Sequence, residues 1–319
     1  MHEFFAELQK LREQQPHPAI FTLRSENSDY CPYMSNGKNS YRLVGHNFNE
    51  DSFYGNWVGK CKDVCDNDFT EESELCYECV DIKSCYNCNF CQECRNCTDS
   101  WFLYDCIGCR DCFMCVNLRQ KQYYILNEPY SREEYFEKVD GYMKWFKENG
   151  AQAFYHKLNE LKLKYPHNYL QGYNADNCYG EHIFNSRNAK YCFDVNEIED
   201  SMYINNAFKI KDCYDMSFVA LDSELNYMCH SSVNLKNSNF CDVCWYANDL
   251  EFCEFVFNSH DLFGCVSLNH AEYRILNRQY QKEDYLKERD RIKAELRAGG
   301  EYGNWYFEPT YNEYLAFEL

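Results

Sequence analysis

The residue type and spacing in this sequence that could do chemistry is cysteine at every third position. From Cys76 to Cys115 the third-residue positions are all cysteine except Ile82, Ser100 and Leu103, and Cys85, Cys88, Cys91, Cys94 and Cys97 form an unbroken run. Thiols so spaced serve as zinc ligands, iron–sulfur ligands, disulfide partners or small core side chains. A structural zinc site draws two Cys-x-x-Cys pairs from separate hairpins, with sulfurs about 2.3 Å from the metal. Here the pairs merge into one ladder, within which Cys85, Cys88, Cys91 and Cys94 are the set able to converge on a single zinc ion. A ferredoxin motif would need a final x-x-x-Cys-Pro, which the run lacks. Disulfides between cysteines six apart would require an oxidising setting.

An internal comparison favours the core role. The sequence is duplicated with an offset of 150 residues: Phe4, Leu8, Leu11, Pro16 and His17 recur as Phe154, Leu158, Leu161, Pro166 and His167, and Cys115-Val-Asn-Leu118 recurs as Cys265-Val-Ser-Leu268. Cys85, Cys97, Cys106, Cys109 and Cys112 of the first copy correspond to Leu235, Ala247, Val256, Ser259 and Leu262 of the second. A ligand does not become leucine, whereas a thiol that fills space as a small hydrophobe does. No cofactor is therefore expected, with zinc on the four named cysteines as the alternative.

The elements that must position these thiols follow from a second period of twelve. Cys76 leads to Cys88, Ser100 and Cys112, and Cys229, Cys241, Cys253 and Cys265 stand twelve apart. Twelve residues at about 3.3 Å each give a perimeter of roughly 40 Å, which leaves space inside for small side chains only. From Cys61 to Leu118 the inward phase holds Cys, Ser, Thr, Val, Ile, Leu and one Asn, and every aromatic residue of that stretch lies off it. The expected fold is mostly β: two tandem narrow β-solenoids of about 12 residues per coil with a Cys-lined interior, joined and capped by short α-helices.

The first repeat is placed at residues 1–150, with a helix over 3–14, a solenoid over about 21–120 and a helix over about 131–148. The second is placed at 151–300, with a helix over about 152–163, a solenoid over about 171–270 and a helix over about 281–297. Ser131-Arg-Glu-Glu134 has the form of a capping box, and Gln281-Lys-Glu-Asp284 is its weaker copy. These two later helices either cover the solenoid ends or serve as ordinary connectors. Asp29, Asp51, Asp105, Asp111, Asn177, Asp200, Asp212 and Asn239 supply corner residues. Between Cys192 and Val219 the phase shifts by one, which predicts a bulge near residues 220–225. A tail over 301–319, rich in aromatics from Tyr302 to Phe317, has no counterpart in the first repeat and is expected to dock on a surface.

Several strings resemble a family of large Cys-rich repeat proteins abundant in bacteria of the candidate phyla radiation and related environmental genomes. They are Ser25-Glu-Asn-Ser28, Leu75-Cys-Tyr-Glu-Cys-Val80, Phe102-Leu-Tyr-Asp-Cys-Ile-Gly-Cys109, Cys115-Val-Asn-Leu-Arg119, Tyr123-Tyr-Ile-Leu-Asn-Glu-Pro-Tyr130 and Tyr191-Cys-Phe-Asp-Val195. The resemblance covers most of the chain and implies a repeat fold rather than an activity. In coil length the chain is also similar to insect hyperactive antifreeze proteins, but four threonines in 319 residues cannot form their outward Thr-x-Thr rows.

A formal charge of −19 argues against nonspecific binding to nucleic acid or anionic membrane. The opening MHEFFAELQKLREQ has no apolar signal core and no stretch approaches a membrane span, so a cytoplasmic protein with reduced thiols is expected. His17 and His167 occupy equivalent helix-end positions, Glu71-Glu72 and Glu133-Glu134 suit solvated faces or helix starts, and no phosphate loop or nucleophile elbow is present. The expectation is a non-enzymatic structural or protein-interaction scaffold whose partner is another protein or itself, as homo-oligomer or filament. Outward Trp101, Phe102, Tyr77, Tyr86, Trp245, Tyr246 and Phe255 would form its contact surface. The alternatives are a thiol-rich zinc-binding or storage protein and an acidic solenoid that mimics DNA.

Overall fold

Parallel strands repeat through most of the chain at a fixed register. The structure, a computed structural model, describes residues 2–16 and 22–304. Tyr86 pairs with Thr98, Thr98 with Arg110 and Arg110 with Gln122, each step being twelve residues. In the later half Tyr227 pairs with Asn239 and Asn239 with Glu251 at the same step. The inward positions Cys61, Val64, Asn67, Thr70, Ser73, Cys76, Cys79 and Ile82 are all buried, and the same phase continues through Cys115.

The turns that allow so tight a repeat lie in the backbone. Every third residue over long stretches has a positive φ near 50°, as at Lys60, Asp63, Asp66 and Phe69, so two extended residues alternate with one left-handed corner. That conformation costs an L-residue about 1–2 kcal/mol, least for Asn and Asp. Asp51, Asp105, Asp111, Asn177, Asp200 and Asp212 occupy such corners as expected, whereas Asp29 and Asn239 take bridge and strand positions.

The second half departs from the register twice, and the departures cancel. Tyr179 pairs with Lys190 eleven residues on, but Gly180 pairs with Cys192 twelve on. Gly180 has φ +143°, and a Cβ there would stand 1.8 Å from the Cys192 carbonyl oxygen, so only glycine fits. A residue is regained between Ser217 and Leu221, beside the predicted bulge position. Between these points the inward set is Cys192, Val195, Ile198, Ile204, Ala207, Ile210, Cys213 and Met216, all buried.

Four helices lie among the described residues: α1 (Glu3–Gln14), α2 (Arg132–Asn149), α3 (Gln152–Lys162) and α4 (Lys282–Ala298). Both bonds of the Ser131/Glu134 capping box are made, while Gln281 makes no side-chain cap. The chain divides into two compact units, but not at residue 150. One unit runs to His167 and so includes α3; the other joins α1 to the chain from Asn168 onward. The physical reason is aromatic. Phe4 and Phe5 of α1 pack on Phe252, while Phe154 and Tyr155 of α3 pack on Phe102. Each stack is thus covered by the helix assigned by sequence to the other repeat.

The C-terminal end of each stack is closed by a short antiparallel return rather than by a helix alone. Ile125 pairs with Glu128 and Ile275 with Arg278. The repeated Ile-Leu-Asn string supplies the stop: the Asn127 side chain accepts from the Val116 amide and donates to the Val116 carbonyl, both at 2.9 Å, and Asn277 does the same with Val266 at 3.0 and 2.8 Å. A side-chain amide here replaces the next strand. The predicted aromatic tail beyond residue 304 and His17 lie outside the described residues.

Candidate functional site

The interior explains the choice of cysteine, serine and asparagine. An inward residue turns its own amide N–H into a space too narrow for another backbone, and a buried donor left unpaired is costly. Where the inward residue one turn earlier is Ser, Asn or, in some coils, Cys, its side chain supplies the acceptor. Ser73 Oγ accepts from Cys85 N at 3.1 Å, Ser100 Oγ from Cys112 N at 3.1 Å, Asn67 Oδ1 from Cys79 N at 2.8 Å and Cys79 Sγ from Cys91 N at 3.4 Å. In the second stack Ser201, Ser223, Asn226 and Ser259 serve Cys213, Leu235, Ser238 and Ala271 in the same way.

The thiols also donate. Cys85 Sγ lies 3.4 Å from the Lys83 carbonyl and 3.6 Å from that of Cys94, and Cys88 Sγ lies 3.6 Å from Tyr86 O and 3.4 Å from Cys97 O. Cys91 and Cys94 donate to Asn89 and Gln92 at 3.3 and 3.2 Å. All 22 cysteines are free thiols and all but Cys65 and Cys178 are buried. Burial pushes the Cys61, Cys192 and Cys213 thiols up to about 11, and desolvation holds Cys91 and Cys241 above the ordinary range.

The zinc candidates Cys85, Cys88, Cys91 and Cys94 are therefore four inward residues of one coil, each aimed at backbone carbonyls. Tetrahedral thiolates bonded at 2.3 Å would place their sulfurs about 3.8 Å apart. Among the described residues these four form no group of three or more ligand atoms that all lie within 4.8 Å of one another.

Outside, the residues form columns. Glu26, Lys38, Glu50, Lys62 and Glu74 are neighbours in successive coils and alternate in sign. Asp176, Arg187, Glu199, Lys211, Glu224 and Lys236 repeat the alternation in the second stack, with Lys236 Nζ 2.6 Å from Glu224. Such opposite pairs across adjacent strands add about 0.2–1 kcal/mol each. A corner column runs Asn, Asn, Asp, Asp, Leu, Asn, Asp, Asp, Tyr in both stacks, from Asn27 to Tyr123 and from Asn177 to Tyr273. Its amides donate along the stack: Asn27 to Asn39 and Asn39 to Asp51 at 2.9 Å, Asn177 to Asn188 and Asn188 to Asp200 at 2.7 Å. The twelve-residue spacing could have revealed this column, and composition alone conceals it.

Histidine enters the same arithmetic. His182 Nδ1 stands 2.9 Å from Asp194 and His230 Nδ1 2.8 Å from Asp242, each pair being twelve residues apart. Asp242 is nearly buried, and Ser217 precedes His230 in the same register. A His–Asp pair orients an imidazole and can hold a proton; here both pairs are also links in a ladder. His167 instead rests edge-on against Tyr104 at 5.5 Å.

The aromatic surface expected from sequence splits in two. Tyr77, Tyr86 and Tyr246 are exposed, but Phe102 is fully buried beneath α3, stacked on Phe90 at 4.7 Å. Phe240 and Phe252 form the matching stack at 4.6 Å beneath α1. Earlier coils of the second stack carry Tyr191 and Tyr203, stacked at 5.2 Å and more than half exposed. No helix among the described residues is long and apolar enough to cross a membrane.

No family model matches the chain, and no curated protein matches it. Among solved structures, the chain is similar at 9% identity to a Desulfovibrio desulfuricans protein named as an acetyltransferase, over 93% of this chain and 91% of that one, with a TM-score of 0.15. A UDP-N-acetylglucosamine O-acyltransferase of Moraxella catarrhalis gives 12% identity, 89% and 82% coverage and a TM-score of 0.13. The Arabidopsis UDP-N-acetylglucosamine acyltransferase gives 12%, 88% and 77%, with 0.11. At these scores the likeness carries no argument for an activity.

Proposed function

We propose that this chain is a non-enzymatic protein-interaction scaffold built from two narrow, cysteine-lined β-solenoids that work with reduced thiols in the cytoplasm. Interior groups such as the Cys85 thiol and the Ser73 and Ser100 hydroxyls bond backbone amides and carbonyls, and the protein's interactions are placed on the outer faces. The observation that carries the reading is the stacked, exposed Tyr191–Tyr203 pair. Along the same corner column Asp215 and Met228 separate it from the Phe240–Phe252 stack, which is covered by Phe5 of α1 and by Tyr302. A stacked aromatic pair left bare, on a stack whose other aromatic pair is covered, is a surface suited to a protein partner. Alternating charge along the neighbouring columns suits a protein better than the like-charged row a DNA mimic would need.

The test is quantitative binding with the full chain and with Tyr191→Ser/Tyr203→Ser, each checked for unchanged circular dichroism. A partner recovered at fixed stoichiometry by the parent chain is expected to lose at least tenfold in affinity for the variant. Equal binding to both would remove these tyrosines as the contact surface and with them the reading.

A further inference from the structure

The covering of the second stack by α1 leads to an inference about assembly. Arg12 Nε lies 2.6 Å from Glu254 Oε2, across 242 residues of sequence, and both side chains are buried. Around the pair, Phe4 meets Phe263 at 4.7 Å and Phe5 meets Phe252 at 5.2 Å. Gly264 lies at a corner with φ +64°, where a Cβ would come within 2.6 Å of the Phe4 ring, so the groove is shaped for that ring. At its ends His2 N donates to Glu301 at 2.8 Å and Arg278 reaches Glu7 at 3.4 Å.

The first unit holds the matching joint with different chemistry. By the 150-residue offset, Arg12 corresponds to Lys162 and Glu254 to Tyr104. Lys162 Nζ sits over the Tyr104 ring, 3.6 Å from its centroid. The guanidinium fork suits a carboxylate and the compact ammonium suits a ring face, so each groove prefers its own helix. α3 follows its stack closely along the chain, through α2. α1 is joined to its groove only through the whole of the first unit.

We propose that α1 is exchangeable between copies: the α1 helix of one chain docks in the groove of Phe252, Phe263, Gly264 and Glu254 on a second copy of this chain. An empty groove bares the Phe252 and Phe263 rings that Phe4 and Phe5 cover, so the groove favours an occupant. Exchange of an identical element makes the same contacts within a chain or between chains and differs only in the entropy of association. The inference deepens the scaffold reading by naming one partner, and it does not involve Tyr191 or Tyr203, so each can fail alone.

The experiment mixes two full-length variants, Arg12→Glu and Glu254→Arg. Within either chain the groove holds two like charges, but between the chains both pairs become opposite. Native mass spectrometry of the mixture is expected to show a 1:1 species at twice the 38.3 kDa chain mass, absent from either variant alone. The chain carrying both changes should be a folded monomer. A mixture that stays at single-chain mass while that double variant folds overturns the proposal. If Glu254→Arg does not fold, the parent chain decides, mixed with an isotope-labelled copy at rising concentration. Dimers that contain one of each and vanish on deletion of residues 2–16 support exchange; dimers that survive the deletion, or none at any concentration, overturn it.

Discussion

Lys162 and Tyr104 meet as cation and ring at 3.6 Å in one unit, at the positions where Arg12 and Glu254 form a buried ion pair at 2.6 Å in the other. Duplication preserved the joint and changed its chemistry. The two joints differ in what remains when one partner is lost. Without Arg12, Glu254 is a buried carboxylate that has lost its guanidinium; without Lys162, Tyr104 is still an aromatic ring among apolar neighbours.

Arg12→Ala should therefore cost the second-stack unit about 3–5 kcal/mol. Lys162→Ala should cost the other unit about 0.5–2 kcal/mol. Hydrogen exchange resolved by unit measures both, with Glu254→Gln/Arg12→Ala as the rescue of the larger loss. A larger cost at Lys162 would contradict the assignment of roles.

Interior substitutions should sort by hydrogen bonding more than by volume. Asn67→Leu removes the acceptor for Cys79 N and the donor to Cys76 O, and Ser100→Val removes the acceptor for Cys112 N, each costing about 1–3 kcal/mol. Cys97→Ala loses weak contacts to Arg95 O and Cys106 O and should cost near 1 kcal/mol or less, in keeping with Ala247 at the equivalent position. Cys97→Phe should abolish the first stack, because a ring forced into a filled coil displaces backbone. Urea denaturation of the four variants tests the order, and equal damage from Cys97→Ala and Cys97→Phe would point to a ligand role instead.

Alkaline pH should unfold the stacks cooperatively. Cys61, Cys192 and Cys213 are raised by burial from 9.0 to about 11, so the unfolded chain loses these protons first. Their contribution is fully present below pH 9 and is lost as pH rises toward 11, by about 2–3 kcal/mol for each thiol. Denaturation midpoints across this window, followed together with thiolate absorbance, give the measurement. Midpoints that stay constant between pH 9 and 11 would contradict the assignment.

Sequence alone determined the twelve-residue coil, the inward set from Cys61 onward, the four helices and the shift of phase near residue 220, because steric exclusion from a narrow interior acts locally and repeats. The capping box at Ser131 was readable for the same reason. The second hydrogen-bonding role of Asn67, Ser73 and Ser100 was not, since it depends on which backbone amide arrives one coil later. The pairing of α1 with the second stack, and of α3 with the first, was decided only by the tertiary structure. Phe4 and Phe154 are the same residue type at the same repeat position, so either helix satisfies either aromatic groove on hydrophobic grounds. Only the meeting of Arg12 with Glu254, and of Lys162 with Tyr104, distinguishes them, and those meetings exist once the chain has folded.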